Sequence, residues 1–146
     1  MPLIKKSAAV QAPAERVFEI LADPELAHEL NPDLVLTSFT PSAIGGFDNT
    51  WEYRMSGFKF KGNTRMLVVE KPFVAIYETT GDLPSRWSWH LQSQGDATEV
   101  QVELDYTVPG MLNNPLLRPT VERTNEKVIT NQLANLKRLS EGGQVQ

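Results

Sequence analysis

Few residues in this chain are suited to acid–base or metal chemistry. His28 and His90 are the only two histidines. They lie far apart, and neither has another strong ligand at metal-binding spacing. There is no cysteine, which excludes disulfide scaffolds, thiolate nucleophiles and cysteine zinc sites and fits a reducing compartment. No Gly-x-Ser-x-Gly elbow occurs, and Gly45-Gly46 does not open a phosphate loop. Arg54, Arg65 and Glu78 are residue types that can move protons or hold charge in acid–base catalysis. Strand alternation, however, puts Arg54 on a polar face and Arg65 opposite Met66, which favours solvated ion pairs. A β-bulge in the long strand that carries Arg65 would reverse its side. Glu99, Glu103 and Asp105 form an acidic row on a wet face, most simply a solubilising surface. None of these groups points to catalysis.

Binding of apolar matter is the chemistry that remains. Trp51, Tyr53, Phe58, Phe60, Met66, Trp87, Trp89 and Tyr106 fall on the dry face of predicted strands. They either pack a core or line a pocket in it, and one residue can do both. On the last predicted helix Leu117, Val121, Val128, Ile129, Leu136 and Leu139 share one side, and Asn125 and Gln132 fall inside that stripe. A buried amide without a partner costs roughly 1–3 kcal/mol. Each therefore bonds a strand or a water, or orients the polar end of a ligand. The expected ligand-binding set is Trp51, Tyr53, Phe60, Met66, Trp87, Trp89, Tyr106, Val121, Asn125, Val128 and Gln132. No catalytic residue, metal or cofactor is assigned.

Gly57-Phe58-Lys59-Phe60-Lys61-Gly62 interleaves aromatics with lysines, as single-strand nucleic-acid platforms do. Alternation places the two types on opposite faces, and the net charge of −4 disfavours a phosphate backbone. An amphipathic strand is expected there, with no nucleic-acid partner.

The elements that must position these residues can be read in order. Leu3 to Val10 is a strand; Pro13 opens a helix carrying Val17, Phe18, Ile20 and Leu21, and Asp23-Pro24 ends it. A second short helix over Glu25 to Leu30 stops at Asn31-Pro32. Strands follow at Thr50 to Met55, Phe58 to Val69, Val74 to Thr80, Arg86 to Ser93 and Glu99 to Val108. Turns at Ser56-Gly57, Lys71-Pro72, Gly81-Asp82 and Gly95-Asp96 make them an antiparallel meander. Asn114-Pro115 predicts the start of a long helix that ends near Glu141-Gly142-Gly143, with Pro119 kinking or delaying its first turn. Only that helix is long enough to cover the dry face. The pattern predicts one α+β domain over 1–146, a curved antiparallel sheet around a long C-terminal helix, with an apolar pocket between them. No apolar run approaches the roughly 20 residues that span a bilayer. Met1-Pro2-Leu3-Ile4-Lys5-Lys6 has no apolar signal core, so a cytoplasmic protein is expected.

The stretch Val10-Gln11-Ala12-Pro13-Ala14-Glu15-Arg16-Val17-Phe18-Glu19-Ile20-Leu21-Ala22-Asp23-Pro24 resembles the opening of the START-like (SRPBCC) superfamily. More narrowly, it is similar to the polyketide cyclase/dehydrase and lipid transport family. Gly46 before Trp51, Lys71-Pro72 before Val74, Thr98 opening the last strand, and Leu136-Lys137 agree with that resemblance. It implies a helix-grip fold in which the sheet holds the last helix around a hydrophobic cavity. Members often carry a tryptophan before the proline that follows the second short helix. Here the residues are Leu30-Asn31-Pro32, which leaves that place without a stacking ring. The family includes lipid and quinone binders as well as aromatic polyketide cyclases, and the fold does not choose among them. The expected function is binding or carriage of a small hydrophobic ligand: a lipid, quinone or polyketide-like molecule. The alternatives are an aromatase/cyclase and a protein-interaction module with a vestigial pocket. The expected partner is that ligand, taken up near Leu26 to Pro32 and Pro109 to Pro115. No stable membrane insertion is expected, and the chain is a monomer or homodimer.

Overall fold

The computed structural model describes residues 3–55, 57–108 and 110–142. Ser56, Pro109 and Gly143, assigned above to a turn, a ligand opening and a helix stop, lie outside the described residues, as do Met1 and Pro2 of the opening segment. The chain runs β1 (Leu3–Val10), α1 (Ala14–Leu21), a 3₁₀ turn (Pro24–Leu26) and α2 (Ala27–Leu30). Six strands follow: β2 (Leu34–Pro41), β3 (Phe47–Met55), β4 (Phe58–Glu70), β5 (Val74–Gly81), β6 (Ser85–Gln94) and β7 (Ala97–Tyr106). A 3₁₀ turn at Gly110–Leu112 leads to α3 (Arg118–Ser140). Among the described residues no helix is long and apolar enough to cross a membrane.

The strands form one seven-stranded sheet in the order β1-β7-β6-β5-β4-β3-β2, and every pairing is antiparallel. β7 shows why the sequence folds this way. Its Thr98, Val100, Val102, Leu104 and Tyr106 are buried, while the residues between them are partly or fully exposed. Where β1 meets β7, the fully buried Thr98 donates its hydroxyl to the Ala12 carbonyl at 2.7 Å, which ties the chain before α1 to the sheet.

β2 was not legible in the sequence. It is an edge strand with little burial and no regular alternation of apolar residues, and its pairing with β3 slips between Leu36 and Ser38. β3 also starts at Phe47, before the expected Thr50, because β2 supplies the partner for those residues. β7 ends at Tyr106, short of the expected Val108. Asn114-Pro115 does not start α3. Asn114 Oδ1 accepts from the amides of Leu116 and Leu117, each at 3.0 Å, and caps a separate turn. Pro119 then sits in the first turn of α3, where its missing N–H costs nothing.

α3 approaches β1, α1 and α2 most closely. Its Ile129, Leu133, Leu136 and Leu139 are buried in the core with Val10, Val17, Val100 and Val102. Asn135 Nδ2 donates to the Leu30 carbonyl at 3.0 Å, pinning α2 to the helix. The helix is thus anchored through its C-terminal half. Its N-terminal half is tied to the sheet as well, by the ion pair of Glu126 with Lys6 of β1 at 3.3 Å, and keeps Val121 buried.

Candidate functional site

A cavity of about 200 Å³ lies between the sheet and α3. Trp51, Tyr53, Met66, Trp87, Trp89 and Tyr106 line it from the strands, and Val121, Asn125, Val128 and Gln132 line it from the helix. The structure therefore brings together the expected set except for Phe60. That ring is buried but does not reach the cavity; it packs with its centroid 6.2 Å from that of Phe58. Phe58, on the same side, is 42% exposed instead of dry. Alternation assigns a face; it does not say how far along the strand the cavity extends.

The long strand β4 carries the bulge that would have turned Arg65 inward, but it lies one step later, between Met66 and Val68. Met66 and Val69 both line the cavity as a result, although they are three residues apart. Arg65 stays outside and pairs with Glu78 at 3.0 Å, and Arg86 reaches the same carboxylate at 3.8 Å. Arg54 and His90 are exposed. His28 is exposed as well, with its Nδ1 2.9 Å from the Leu34 carbonyl. Among the described residues no cluster of three or more metal-ligating side chains occurs.

Several lining residues were not singled out from the sequence. Tyr77 of β5 and Asn49 of β3 lie on the cavity side of their strands; the alternation of Tyr77 with Glu78 and the two-residue spacing of Asn49 from Trp51 carried the signal. Leu83 and Pro84 come from the β5–β6 turn, which no periodicity marks. Of the two segments expected at the opening, α2 contributes Ala27 and Leu30, and Asn31 follows. Gly110 and Leu112 to Pro115 do not line the cavity.

The aromatics are ordered against one another. Trp89 Nε1 donates to the Tyr77 hydroxyl at 3.1 Å. The Trp87 ring lies 6.3 Å from Tyr77 at 21° and 6.4 Å from Trp89 at 7°, so the three form a row. Burial pushes the Tyr77 hydroxyl up to about 12, and the Trp89 bond opposes this only in part. Tyr53 is raised further by burial, assisted by the negative charge of Asp33. Tyr106 is also raised, by burial first. Its hydrogen bond with Asn125 pulls the other way, and the charges of Glu122 and Glu126 add to the rise. No Asp, Glu, Lys, Arg or His is among the described lining residues. The wall offers apolar surface, neutral hydroxyls and amides, but nothing that gains or loses a proton near neutrality.

Residues 1–141 match the family described as polyketide cyclase/dehydrase and lipid transport. Solved structures share the fold. A protein from Thermus thermophilus is 21% identical, with a TM-score of 0.77 over 95% of this chain and 97% of its own. A START superfamily protein from Mycobacterium smegmatis is 19% identical, with a TM-score of 0.75 over 95% of this chain and 97% of its own. The Zhui aromatase/cyclase from Streptomyces sp. R1128 is 15% identical, with a TM-score of 0.76 over 96% of this chain and 93% of its own. No match was found among proteins with curated functions. With the helix-grip architecture, the cavity against α3 and a family match over nearly its whole length, the chain belongs to the polyketide cyclase/dehydrase and lipid transport family.

Proposed function

We propose that the protein binds and carries a small hydrophobic ligand, a lipid, quinone or polyketide-like ring system, in the cavity between the sheet and α3. The observation that carries this reading is a cavity of about 200 Å³ with no charged group among its described lining residues. Native interiors are close-packed, and their voids seldom exceed a water molecule. A hole of this size forfeits dispersion contacts that an apolar guest restores. Affinity would come from apolar surface buried at about 25 cal/mol per Å², less the costs of association.

The Streptomyces neighbour is named an aromatase/cyclase, and the same reaction here would need a group that exchanges protons near neutral pH. The lining tyrosines, all raised, do not supply one. Binding without chemistry is therefore the favoured reading. The volume of the cavity likewise weighs against an interaction module with a vestigial pocket. The reading takes the chain as one cytoplasmic domain, monomeric or homodimeric, that uses no nucleic-acid partner.

Native mass spectrometry of freshly purified protein tests it. A mass excess that organic extraction removes, and whose binding competes with the neutral apolar fluorophore N-phenyl-1-naphthylamine, is expected. Protein that carries nothing and binds no such fluorophore would overturn the reading.

A further inference from the structure

The register of the sheet sorts the cavity wall into rows. Across β4 to β7, Thr64 stands opposite Thr79, Thr79 opposite Ser85, and Ser85 opposite Tyr106. All four line the cavity, so four neighbouring strands each bring a hydroxyl-bearing residue to it at one level. The next row, Met66, Tyr77, Trp87 and Leu104, lines it too and offers mainly apolar and ring surface. The one hydroxyl in that second row, on Tyr77, already accepts from Trp89.

The hydroxyl row lies at the mouth. Among the described lining residues only Pro84 and Thr107 are exposed. Pro84 precedes Ser85 and Thr107 follows Tyr106, and the Thr107 amide donates to the Pro84 carbonyl at 3.1 Å. Thr64, Thr79 and Ser85 are half-buried.

The protons of this row can be followed. Thr79 has one hydroxyl hydrogen, and it goes to the Leu83 carbonyl at 2.6 Å. The 2.6 Å bond between the Thr79 and Ser85 hydroxyls is therefore donated by Ser85. With its hydrogen spent, Ser85 Oγ can meet a ligand only as an acceptor.

We propose that this row is the head-group end of the cavity, where Ser85 Oγ accepts a hydrogen bond from an uncharged amphiphile that carries an O–H or N–H donor at one end. The apolar body of the ligand lies over the row of Met66, Tyr77, Trp87 and Leu104. A quinone or a carboxylate brings only acceptors to Ser85, and the carboxylate also finds no cation among the described lining residues. An ammonium group finds no counter-charge there either, and a buried unpaired charge is costly. This inference rests on the binding role proposed above and narrows its ligand.

Two isomers, 1-octanol and heptyl methyl ether, test it by displacing bound N-phenyl-1-naphthylamine at neutral pH. Only the alcohol can donate. In a purely apolar hole the ether binds better, because an unpaired hydroxyl loses its bonds to water. The wild-type protein is expected to reverse that order and prefer 1-octanol by about tenfold. Ser85→Ala is expected to put the ether ahead while affinity for the ether holds, which also reports that the variant is folded. Thr79→Val removes the acceptor of the Ser85 hydrogen and frees it for the ligand, so affinity for the ether is expected to rise. If Ser85→Ala loses the fold, Thr79→Val reads the same hydroxyl from its other side. Equal displacement by both isomers, displacement by neither, or an alcohol preference that survives Ser85→Ala overturns the head-group site and leaves the binding role standing. Failure of the wild type to bind the fluorophore at all overturns both.

Discussion

The benzo edge of Trp51 occupies the space that a side chain on Gly62 would need. A Cβ there would stand 2.4 Å from Trp51 Cζ2 and 2.2 Å from the Thr80 carbonyl oxygen. Gly62 is not among the glycines with positive φ, so the demand is for room alone. Gly62→Ala is expected to destabilise the fold by about 1–3 kcal/mol through overpacking, measured by urea denaturation. A cost below about 0.5 kcal/mol would mean that the indole is free to move aside.

Tyr77→Phe removes the acceptor of Trp89 Nε1, and Trp89 is 1% exposed. The orphaned donor is expected to cost about 1–3 kcal/mol. Trp89→Phe removes the donor and leaves unfilled volume, for about 2–4 kcal/mol. Because both changes break one bond, the double variant should lose less than the sum. Strict additivity in thermal or urea unfolding would show that the 3.1 Å contact carries no coupling.

Tyr53, Tyr77 and Tyr106 are the only tyrosines of the chain, all line the cavity, and all are raised. The folded state therefore holds their protons to a higher pH than the unfolded state does. Stability from this source is complete below the ordinary value of 10.0 and falls as pH climbs through the folded value, about 12 for Tyr77. A near-ultraviolet titration should show tyrosinate appearing only above that ordinary value, together with unfolding. A tyrosine that ionises normally in intact protein would contradict the burial.

Arg65 and Met66 are neighbours with opposite fates. The Arg65 side chain is 71% exposed and pairs with Glu78, so Arg65→Ala is expected to change stability by less than about 0.5 kcal/mol. Affinity for an apolar probe should be unchanged by it. Met66→Ala removes cavity wall and should weaken that affinity. Equal effects from the two substitutions would place the arginine in the site after all.

What the sequence disclosed follows physical lines. The apolar alternation of β7 and the glycine stop after α3 are local signals, and both appear in the structure at their places within a residue or two. β2 carried no such signal, because its apolar residues Leu34, Val35, Leu36 and Phe39 do not alternate, and an edge strand with a slipped register buries too little to impose a pattern. Facing was readable and depth was not, so Trp89 and Phe60 looked equivalent although one meets the cavity and the other only packs beside it. The side of Arg65 turned on the position of a bulge, which pairing decides and composition does not reveal. Asn125 stood out as a polar residue in an apolar stripe, but that it faces the same cavity as Tyr106 could be found only once helix and sheet were brought together.

The order of the sheet has a consequence in time. β1 and β2 are adjacent among the strands along the chain yet lie at its opposite edges, and β1 pairs only with β7. During synthesis the first strand made must wait for the last, while β2 to β7 can zip together hairpin by hairpin behind it. Pairing Val10 with Thr98 closes a loop that contains every other strand, the kind of distant contact that slows folding. Until then the flank of β7 is a bare edge able to recruit a strand from another molecule. A growing chain is most vulnerable to aggregation just before that final closure.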